Sequence, residues 1–118
     1  MAGARMRRVN EAVREVISTH ISGDLKDPRI GFITVTGVET SPDLRTARVF
    51  VSVLGEEAER ESALDGLRSS AGFLQSQVGA QLRMKRTPTL QFVYDDSVER
   101  GMRISELLAG DEPPEPGT

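Results

Sequence analysis

This 118-residue chain contains no cysteine and no tryptophan, and it has a single histidine. The missing thiols exclude disulfide bonds, thiolate metal sites and cysteine nucleophiles, and they are compatible with a reducing cytoplasm. Four phenylalanines and one tyrosine are too few for a recognition surface of several stacked rings. No apolar run reaches the roughly 18 residues of a membrane span. The N-terminal arginines lead into no apolar signal-peptide core, so we expect no export.

The net charge of −3 hides a strong segregation of charged residues. Arg5, Arg7 and Arg8 open the chain without an acid among them, and the stretch 68–86 carries further cations and no acid. The acids concentrate in 56–65 and in the C-terminal tail. An acidic protein with this pattern is able to present a basic face, so the net negative charge does not exclude an anionic partner such as nucleic acid.

The first half of the chain predicts one helix and a β-hairpin. Amphipathic spacing indicates a helix over 5–21, and the proline of Asp27-Pro28-Arg29 marks a loop after it. β-branched residues over 31–39 and alternation over 46–54 indicate two strands, which the turn residues 41–44 join into an antiparallel hairpin. The side chains of the second strand expected to face the core are Ala47, Val49, Val51 and Val53.

The second half predicts a broken helix, a strand and a short helix. The acidic run 56–61 begins a helical pattern that reaches about Met84 and keeps one apolar stripe through Gly72. Because glycine inside a helix costs about 1 kcal/mol relative to alanine, we expect a kink there. Residues 89–94 form a third strand, and a short helix reaches about Leu108. These elements predict a two-layer α+β domain in which helices cover a three-stranded sheet.

The chain offers little chemistry for catalysis. His20 lies on the apolar side of the first helix, where a packed structural histidine is the favoured interpretation. Asp95 and Asp96 follow a strand, and together with Ser97 they favour a helix cap over a metal site. Neither the P-loop spacing nor the dinucleotide-binding glycine pattern occurs. We therefore expect no enzyme, no cofactor and no metal site.

A series of short motifs runs along the chain from residue 5 to residue 108. They are Arg5-x-x-Arg8-Val9 with Glu15, Asp27-Pro28-Arg29-Ile30-Gly31-Phe32, Val35-Thr36-Gly37-Val38, Ser41-Pro42-Asp43-Leu44, Ala47-x-Val49-x-Val51-Ser52-Val53-Leu54-Gly55, Leu82-Arg83-Met84, Pro88-x-Leu90-x-Phe92, and Gly101 with Ile104. In this order and spacing they resemble the ribosome-binding factor A family. The resemblance implies a type II KH-like fold of order α-β-β-α-kink-α-β plus a short C-terminal helix. It covers 5–108 as one domain and leaves 109–118 as an acidic Pro/Gly tail, which we expect to be disordered.

The resemblance further implies binding without catalysis. Members of this family associate with the free small (30S) ribosomal subunit and contact its 16S rRNA. They assist late maturation of that RNA, including its 5′-end processing by other enzymes, and adaptation to cold is a theme of the family. For this chain we therefore expect a cytoplasmic monomer with the 30S subunit as partner, no membrane partner and no cofactor.

The expected RNA contacts follow from the resemblance and from the charge pattern. Ordinary KH domains clamp RNA backbone with a GXXG loop; this family has an Ala-x-Gly kink instead, matched here by Ser70-Ala71-Gly72 with serine in place of the usual alanine. We expect Ser70 and Gly72 to set the angle between two helices, so that Gly72→Ala straightens or strains the kink and weakens subunit binding. The cations expected to bind phosphate are Arg5, Arg7, Arg8, Arg29, Arg48, Arg83, Lys85 and Arg86.

Two other functions fit the sequence. A KH-like module could bind another structured or single-stranded RNA, which competition between small subunits and bulk RNA would distinguish. The acidic helix face from Glu56 to Asp65 could instead dock a basic protein, and charge reversal there or at the arginines would show which face matters. Phe50 beside Arg48 on the outer strand face fits either base stacking or cover by the C-terminal helix.

Overall fold

The computed structural model describes residues 3–23, 27–97, 100, 101, 105, 107 and 108. Its elements are helix α1 (Gly3–Ser22), strands β1 (Ile33–Thr40) and β2 (Thr46–Val53), helices α2 (Glu57–Ser69) and α3 (Ala71–Leu82), and strand β3 (Thr89–Tyr94). The predicted α+β class and element order are confirmed. The described positions 97, 100, 101, 105, 107 and 108 are helical, whereas the predicted tail 109–118 lies outside the described residues.

The strands of the described chain form one sheet in the order β1-β2-β3. The predicted antiparallel pairing of β1 with β2 is confirmed, and β3 runs parallel to β2, with Thr89 beside Thr46 and Tyr94 beside Val51. A parallel pair needs a crossover connection, which α2 and α3 provide. The predicted alternation of β2 is also confirmed, because its inward side chains are all buried: Ala47, Val49, Val51 and Val53.

A β-bulge interrupts the pairing of β1. The register shifts between Val35 and Gly37, so that Val35 lies opposite Val51 and Val38 lies opposite Val49. The extra residue keeps both β1 valines on the core side, where Val35 is buried and Val38 packs against the core. Simple alternation along the sequence does not reveal this correction of the register.

The helices cover one face of the sheet. α1 packs on β1 and α3, and α2 packs on β3. The predicted apolar stripe continues across both later helices, because Leu64 and Leu67 of α2 and Leu74 and Val78 of α3 are buried. Each fully buried valine or leucine contributes about 1.5–3 kcal/mol to the hydrophobic free energy of folding. The largest fully buried side chains are Val13, Ile17, Val49, Val51, Leu67, Leu74, Val78 and Pro88.

Helix side chains satisfy backbone groups at both free edges of the sheet. The N–H of Thr40 in β1 donates to Oδ1 of Asn10 at 2.9 Å, and the N–H of Leu90 in β3 donates to Oε1 of Gln75 at 3.0 Å. Unpaired edge groups invite pairing with another chain. These two bonds occupy one donor on each edge and fix α1 and α3 relative to the strands.

Candidate RNA interface

The break between α2 and α3 lies at Ser70, the first residue of the predicted kink Ser70-Ala71-Gly72, and not at Gly72 itself. Ser70 has φ −94° and ψ 2°, outside helical geometry. Its N–H donates to the carbonyls of Gly66 and Leu67 at 3.1 and 3.0 Å, and its own carbonyl accepts the N–H of Leu74 at 3.0 Å. Backbone hydrogen bonding therefore continues across the break, although one residue leaves the helix.

Gly72 lies in the first turn of α3 and is exposed. A Cβ added there would meet no atom within 4 Å, and the φ angle of Gly72 is not in the left-handed region. The strain expected from Gly72→Ala is therefore wrong, because alanine fits this backbone without a clash; its effect on subunit binding stays a prediction. The side chain of Ser70 makes no capping hydrogen bond to α3, so its hydroxyl has no part in starting that helix.

The loop before β1 packs against α2 next to this break. Gly66 is buried, and a Cβ there would come within 2.8 Å of Ile30 Cγ1 and 3.3 Å of Arg29 Cβ. Glycine thus permits the close approach of the loop. Nη2 of Arg29 donates to Oγ of Ser69 at 3.2 Å, which places this guanidinium at the end of α2.

Arg29 is already paired within the protein. Its Nε donates to Oδ1 of Asp27 at 3.0 Å and its Nη2 donates to Oδ2 at 2.6 Å. These bonds lower the pKa of Asp27 to about 2; the side-chain hydrogen bonds from Arg29 contribute most, and the hydrogen bond from its backbone N–H contributes next. The same bond to Asp27 raises the pKa of Arg29. The predicted phosphate contact is thus a neutralised pair that holds the loop.

Arg48 lies on the outer face of the sheet, away from the helices. It forms an ion pair with Glu39, its cross-strand neighbour in β1. Its guanidinium carbon lies 5.5 Å from the centroid of the Phe50 ring, within cation–π range. Arg48 therefore covers part of Phe50, and its charge has a partner in the folded chain.

α1 and α3 pack against each other. Near the start of α3, the ring of Phe73 meets the ring of His20 edge-on, with centroids 5.4 Å apart. At the end of α3, Leu82 lines a shallow depression with Ala12 and Val16 from the middle of α1. His20 is buried at 9% exposure, which confirms its predicted packed position. Thr19 and Gln81 line the same depression, and Nε2 of Gln81 lies 3.0 Å from Nε2 of His20, so the end of α3 contacts α1 between Ala12 and His20.

A tight turn ends α3 and presents cations. Arg83 adopts the left-handed conformation, with φ 53° and ψ 45°, and the N–H of Met84 donates to the carbonyl of Gly79 at 3.1 Å. This left-handed helix end is usually occupied by glycine. The side chain of Thr87 occupies the space that a Cβ at Gly79 would need, so turn and helix are closely packed. The exposed cations of this turn are Arg83, Lys85 and Arg86.

Three segments bring exposed cations to one end of the sheet. The bond of Asn10 to Thr40 places the N-terminal half of α1 at the end of β1. The carbonyl of Arg45, in the hairpin turn, accepts the N–H of Thr89 at 2.8 Å, so this turn adjoins the start of β3. We call this surface the basic end; its exposed cations are Arg5, Arg7, Arg8, Arg45, Arg83, Lys85 and Arg86.

The charge of the basic end is largely uncompensated. Within the described residues, its one ion pair joins Arg45 Nε to Asp43 Oδ2 at 3.8 Å, with both side chains exposed. α1 begins at Gly3 and carries no acid in its first turn, so Arg5 and its neighbours oppose the helix dipole. Sequence reasoning missed Arg45, because its nearby acid suggested a neutral turn and only the parallel pairing of β3 brings that turn to the other cations.

The predicted site residues therefore do not form one cluster. α3, with 12 residues, is about 18 Å long at 1.5 Å per residue. Ser70 and Gly72 lie at its start and Arg83 lies at its end. Arg29 lies at the end of α2, beside the kink, whereas Arg48 lies on the face of the sheet that the helices do not cover. The structure places the arginines of α1 and the cations of the turn after α3 at the same end of the sheet.

The acids after β3 begin the C-terminal helix, as predicted. Oδ1 of Asp95 accepts a hydrogen bond from the N–H of Ser97 at 2.9 Å, and Oδ2 of Asp95 accepts one from the hydroxyl of Thr36 at 2.6 Å. The bond from Thr36 and then those from Ser97 lower the pKa of Asp95. Asp96 pairs with Arg100 at 3.0 Å. These contacts explain both carboxylates without a metal.

Two further findings concern the described part of the chain alone. Its histidine and carboxylate side chains include no group of three or more that could hold a metal ion. None of its helices combines the length and the apolar character needed to cross a membrane.

Comparison with known proteins identifies the family. The model of the family "Ribosome-binding factor A" matches residues 5–108. Ribosome-binding factor A of Desulfitobacterium hafniense is 46% identical over 110 residues, which cover 93% of this chain and 88% of that protein. The crystal structure of the Thermus thermophilus factor superposes with a TM-score of 0.68 at 28% identity, covering 75% of this chain and 94% of that one.

A homology model of the Thermus thermophilus factor, fitted into a cryo-EM map of its complex with the 30S subunit, is also similar. It gives a TM-score of 0.62 at 29% identity and covers 74% of this chain and 91% of that one. The family match spans nearly all of the described elements, from α1 to the C-terminal helix. The chain therefore belongs to the ribosome-binding factor A family.

Proposed function

We propose that this protein binds the free 30S ribosomal subunit by placing its basic end on phosphates of the 16S rRNA. In this role it assists late maturation of that RNA, including 5′-end processing by other enzymes, and catalyses no reaction itself. It acts as a cytoplasmic monomer without a cofactor. The Thermus thermophilus factor fitted into a 30S complex supports this partner, since the two chains share their fold over most of their length.

The convergence of cations at the basic end is the observation that carries the proposal. The chain is acidic overall, at −3, yet separate described segments place exposed cations on one surface, where the ion pair of Arg45 with Asp43 compensates a single charge. Such a surface recognises RNA by phosphate charge and shape and needs no base contacts. The proposal excludes an important role for Arg29 and Arg48 unless RNA displaces Asp27 and Glu39 from them.

The kink is a second proposed contact, at the other end of α3. Gly72 is exposed and has no Cβ, and nothing lies within 4 Å of the place where one would be. A sugar–phosphate chain is therefore able to approach the α3 backbone closely at this point. The hydroxyl of Ser70, which does not cap α3, is available to donate a hydrogen bond to the same RNA chain.

Sedimentation of purified protein with small subunits, over a series of salt concentrations, tests the basic end. The double variant Arg83→Glu with Lys85→Glu should lose most binding. The control Arg48→Glu with Arg100→Glu makes the same charge change at exposed sites away from the basic end and the kink and should bind like wild type. The logarithm of the wild-type affinity should fall with the logarithm of salt by about 0.7–0.9 for each phosphate neutralised. An affinity that changes neither with salt nor with Arg83→Glu and Lys85→Glu would contradict the proposal.

Sedimentation of a cell lysate tests the assembly role. The protein should migrate with free small subunits and be absent from complete ribosomes. Equal distribution over all ribosomal fractions would refute an assembly factor. Displacement of the protein from small subunits by bulk RNA at equal mass would instead favour a general RNA-binding module.

A further inference from the structure

The end of the sheet opposite the basic end exposes two large apolar side chains. Phe32 is 80% exposed and Leu54 is 76% exposed. They are held next to each other, because the N–H of Leu54 donates to the carbonyl of Phe32 at 3.1 Å. Single exposed apolar residues are common on protein surfaces, whereas adjacent ones beside a groove indicate an interaction site.

These two residues border an open groove of about 400 Å³. Its walls come from the loop before β1, the end of β2 and the first half of α2. Much of the lining is apolar and includes Pro28, Val53, Ala58 and Ala63. A groove of this size accommodates one large side chain of a partner, and the exposed rings and methyl groups at its border add contact area around it.

The charge around the groove is negative. Glu59 lines it, and the exposed Asp65 lies one turn beyond the lining residue Ser62 on the same side of α2, whereas Glu57 and Glu61 lie on the other side of the helix. Arg29 is the cation among the lining residues, and Asp27 already neutralises it. A phosphate chain would be repelled here, whereas lysine or arginine side chains would be attracted. Complementary charge therefore favours a cationic protein segment over RNA.

We propose that this groove docks an extended cationic segment of a partner protein, which inserts one large apolar side chain beside Phe32 and Leu54. The eight residues of β2 separate the groove from the basic end by about 26 Å, at 3.3 Å per residue. The two surfaces thus hold different partners at the same time, one RNA and one protein. The inference does not depend on the proposed RNA contact.

A labelled peptide of about ten alternating lysine and leucine residues is a suitable probe for the full-length chain. Its affinity is measured by fluorescence anisotropy, and amide shifts of the ¹⁵N-labelled protein locate the site. Phe32→Ala with Leu54→Ala should weaken binding about tenfold. The matched control, Leu107→Ala with Leu108→Ala, removes apolar side chains that are 61% and 62% exposed elsewhere and should leave the affinity unchanged.

The charge contribution is tested separately. Glu59→Gln with Asp65→Asn should weaken binding several-fold and reduce its dependence on salt. The matched control, Glu57→Gln with Glu61→Gln on the other side of α2, should not weaken it, and neither should Arg83→Glu with Lys85→Glu. Unchanged affinity after removal of Phe32 and Leu54, or equal binding of a peptide of lysines alone, would reduce the site to general charge attraction and overturn the proposal. Displacement of the peptide from the groove by oligouridine would also overturn it, in favour of an RNA site.

Discussion

Arg83→Gly should stabilise the fold and weaken RNA binding at once. Arg83 holds a left-handed conformation at the end of α3, with φ 53°, where a residue with a Cβ costs about 1–2 kcal/mol. Glycine adopts this conformation freely but adds about 0.5–1 kcal/mol of chain entropy to the unfolded state. The difference predicts a gain in unfolding free energy of about 0.5–1 kcal/mol. Strain of this kind often persists where the side chain serves a function.

Thermal unfolding and subunit binding measure the two effects on the same protein. For a domain of this size the midpoint should rise by about 2–4 °C, and the log–log salt slope should become shallower by about 0.7–0.9 for the lost phosphate contact. Arg83→Ala is the matched control, since it loses the same cation but keeps a Cβ. It should bind as weakly as Arg83→Gly without the gain in stability. Equal stability of the two variants, or wild-type binding by both, would refute this reasoning.

Three further predictions concern stability. Gly66→Ala should lower the unfolding free energy by about 1–3 kcal/mol, because the added Cβ overlaps the loop before β1. Gly72→Ala places its Cβ in open space and should leave the unfolding free energy unchanged or raise it by up to about 1 kcal/mol. Denaturant unfolding compares the two variants, and equal losses would contradict the packing described. Gln75→Ala should cost about 1–3 kcal/mol by the same assay, since it leaves the N–H of Leu90 without its partner, and an unchanged midpoint would show that water replaces the amide. The lowered pKa of Asp27, about 2 instead of 3.8, means that its ion pair stabilises the fold above pH 3.8 and is lost as the pH falls through about 2; Asp27→Asn should flatten acid unfolding in this window, and an unaltered profile would contradict it.

The sequence is sufficient to predict the layers of the fold. Alternating valines in β2 require one buried face, and the stripe through Leu67 and Leu74 requires a helical connection that packs on the sheet. Both follow from local periodicity, which burial enforces. The bulge at Val35 and Gly37 is not predictable in this way, because it depends on the register of the partner strand.

The position of the helix break shows a limit of residue preference. Glycine is unfavourable inside a helix, so Gly72 is the natural candidate. The backbone departs from the helix at Ser70 instead, where φ and ψ suit many residues. Gly72 then occupies an exposed first turn. Propensity thus predicts that a break occurs near this point, but packing of α2 and α3 on the sheet decides the residue.

Charge runs predict the basic end only in part. Arg83 and its neighbours are adjacent in sequence and remain adjacent in space. Arg29 and Arg48 are equally basic in sequence, but Asp27 and Glu39 neutralise them. For Arg48 the decisive neighbour is nine residues away, on the paired strand. Ion pairing that depends on tertiary structure therefore separates the cations that we propose bind RNA from those that neighbouring acids neutralise.

The absence of cysteine permits a direct test of the central claim, that the basic end faces the RNA. A single cysteine is placed at one of two exposed positions, Pro42 in the hairpin turn of the basic end or Ala58 at the opposite end. Each cysteine carries a tethered iron chelate that generates hydroxyl radicals. On the 30S complex, the probe of Pro42→Cys should cleave the 16S rRNA strongly at a few sites, and the probe of Ala58→Cys should cleave it weakly. Strong cleavage from Ala58→Cys with none from Pro42→Cys would contradict the account.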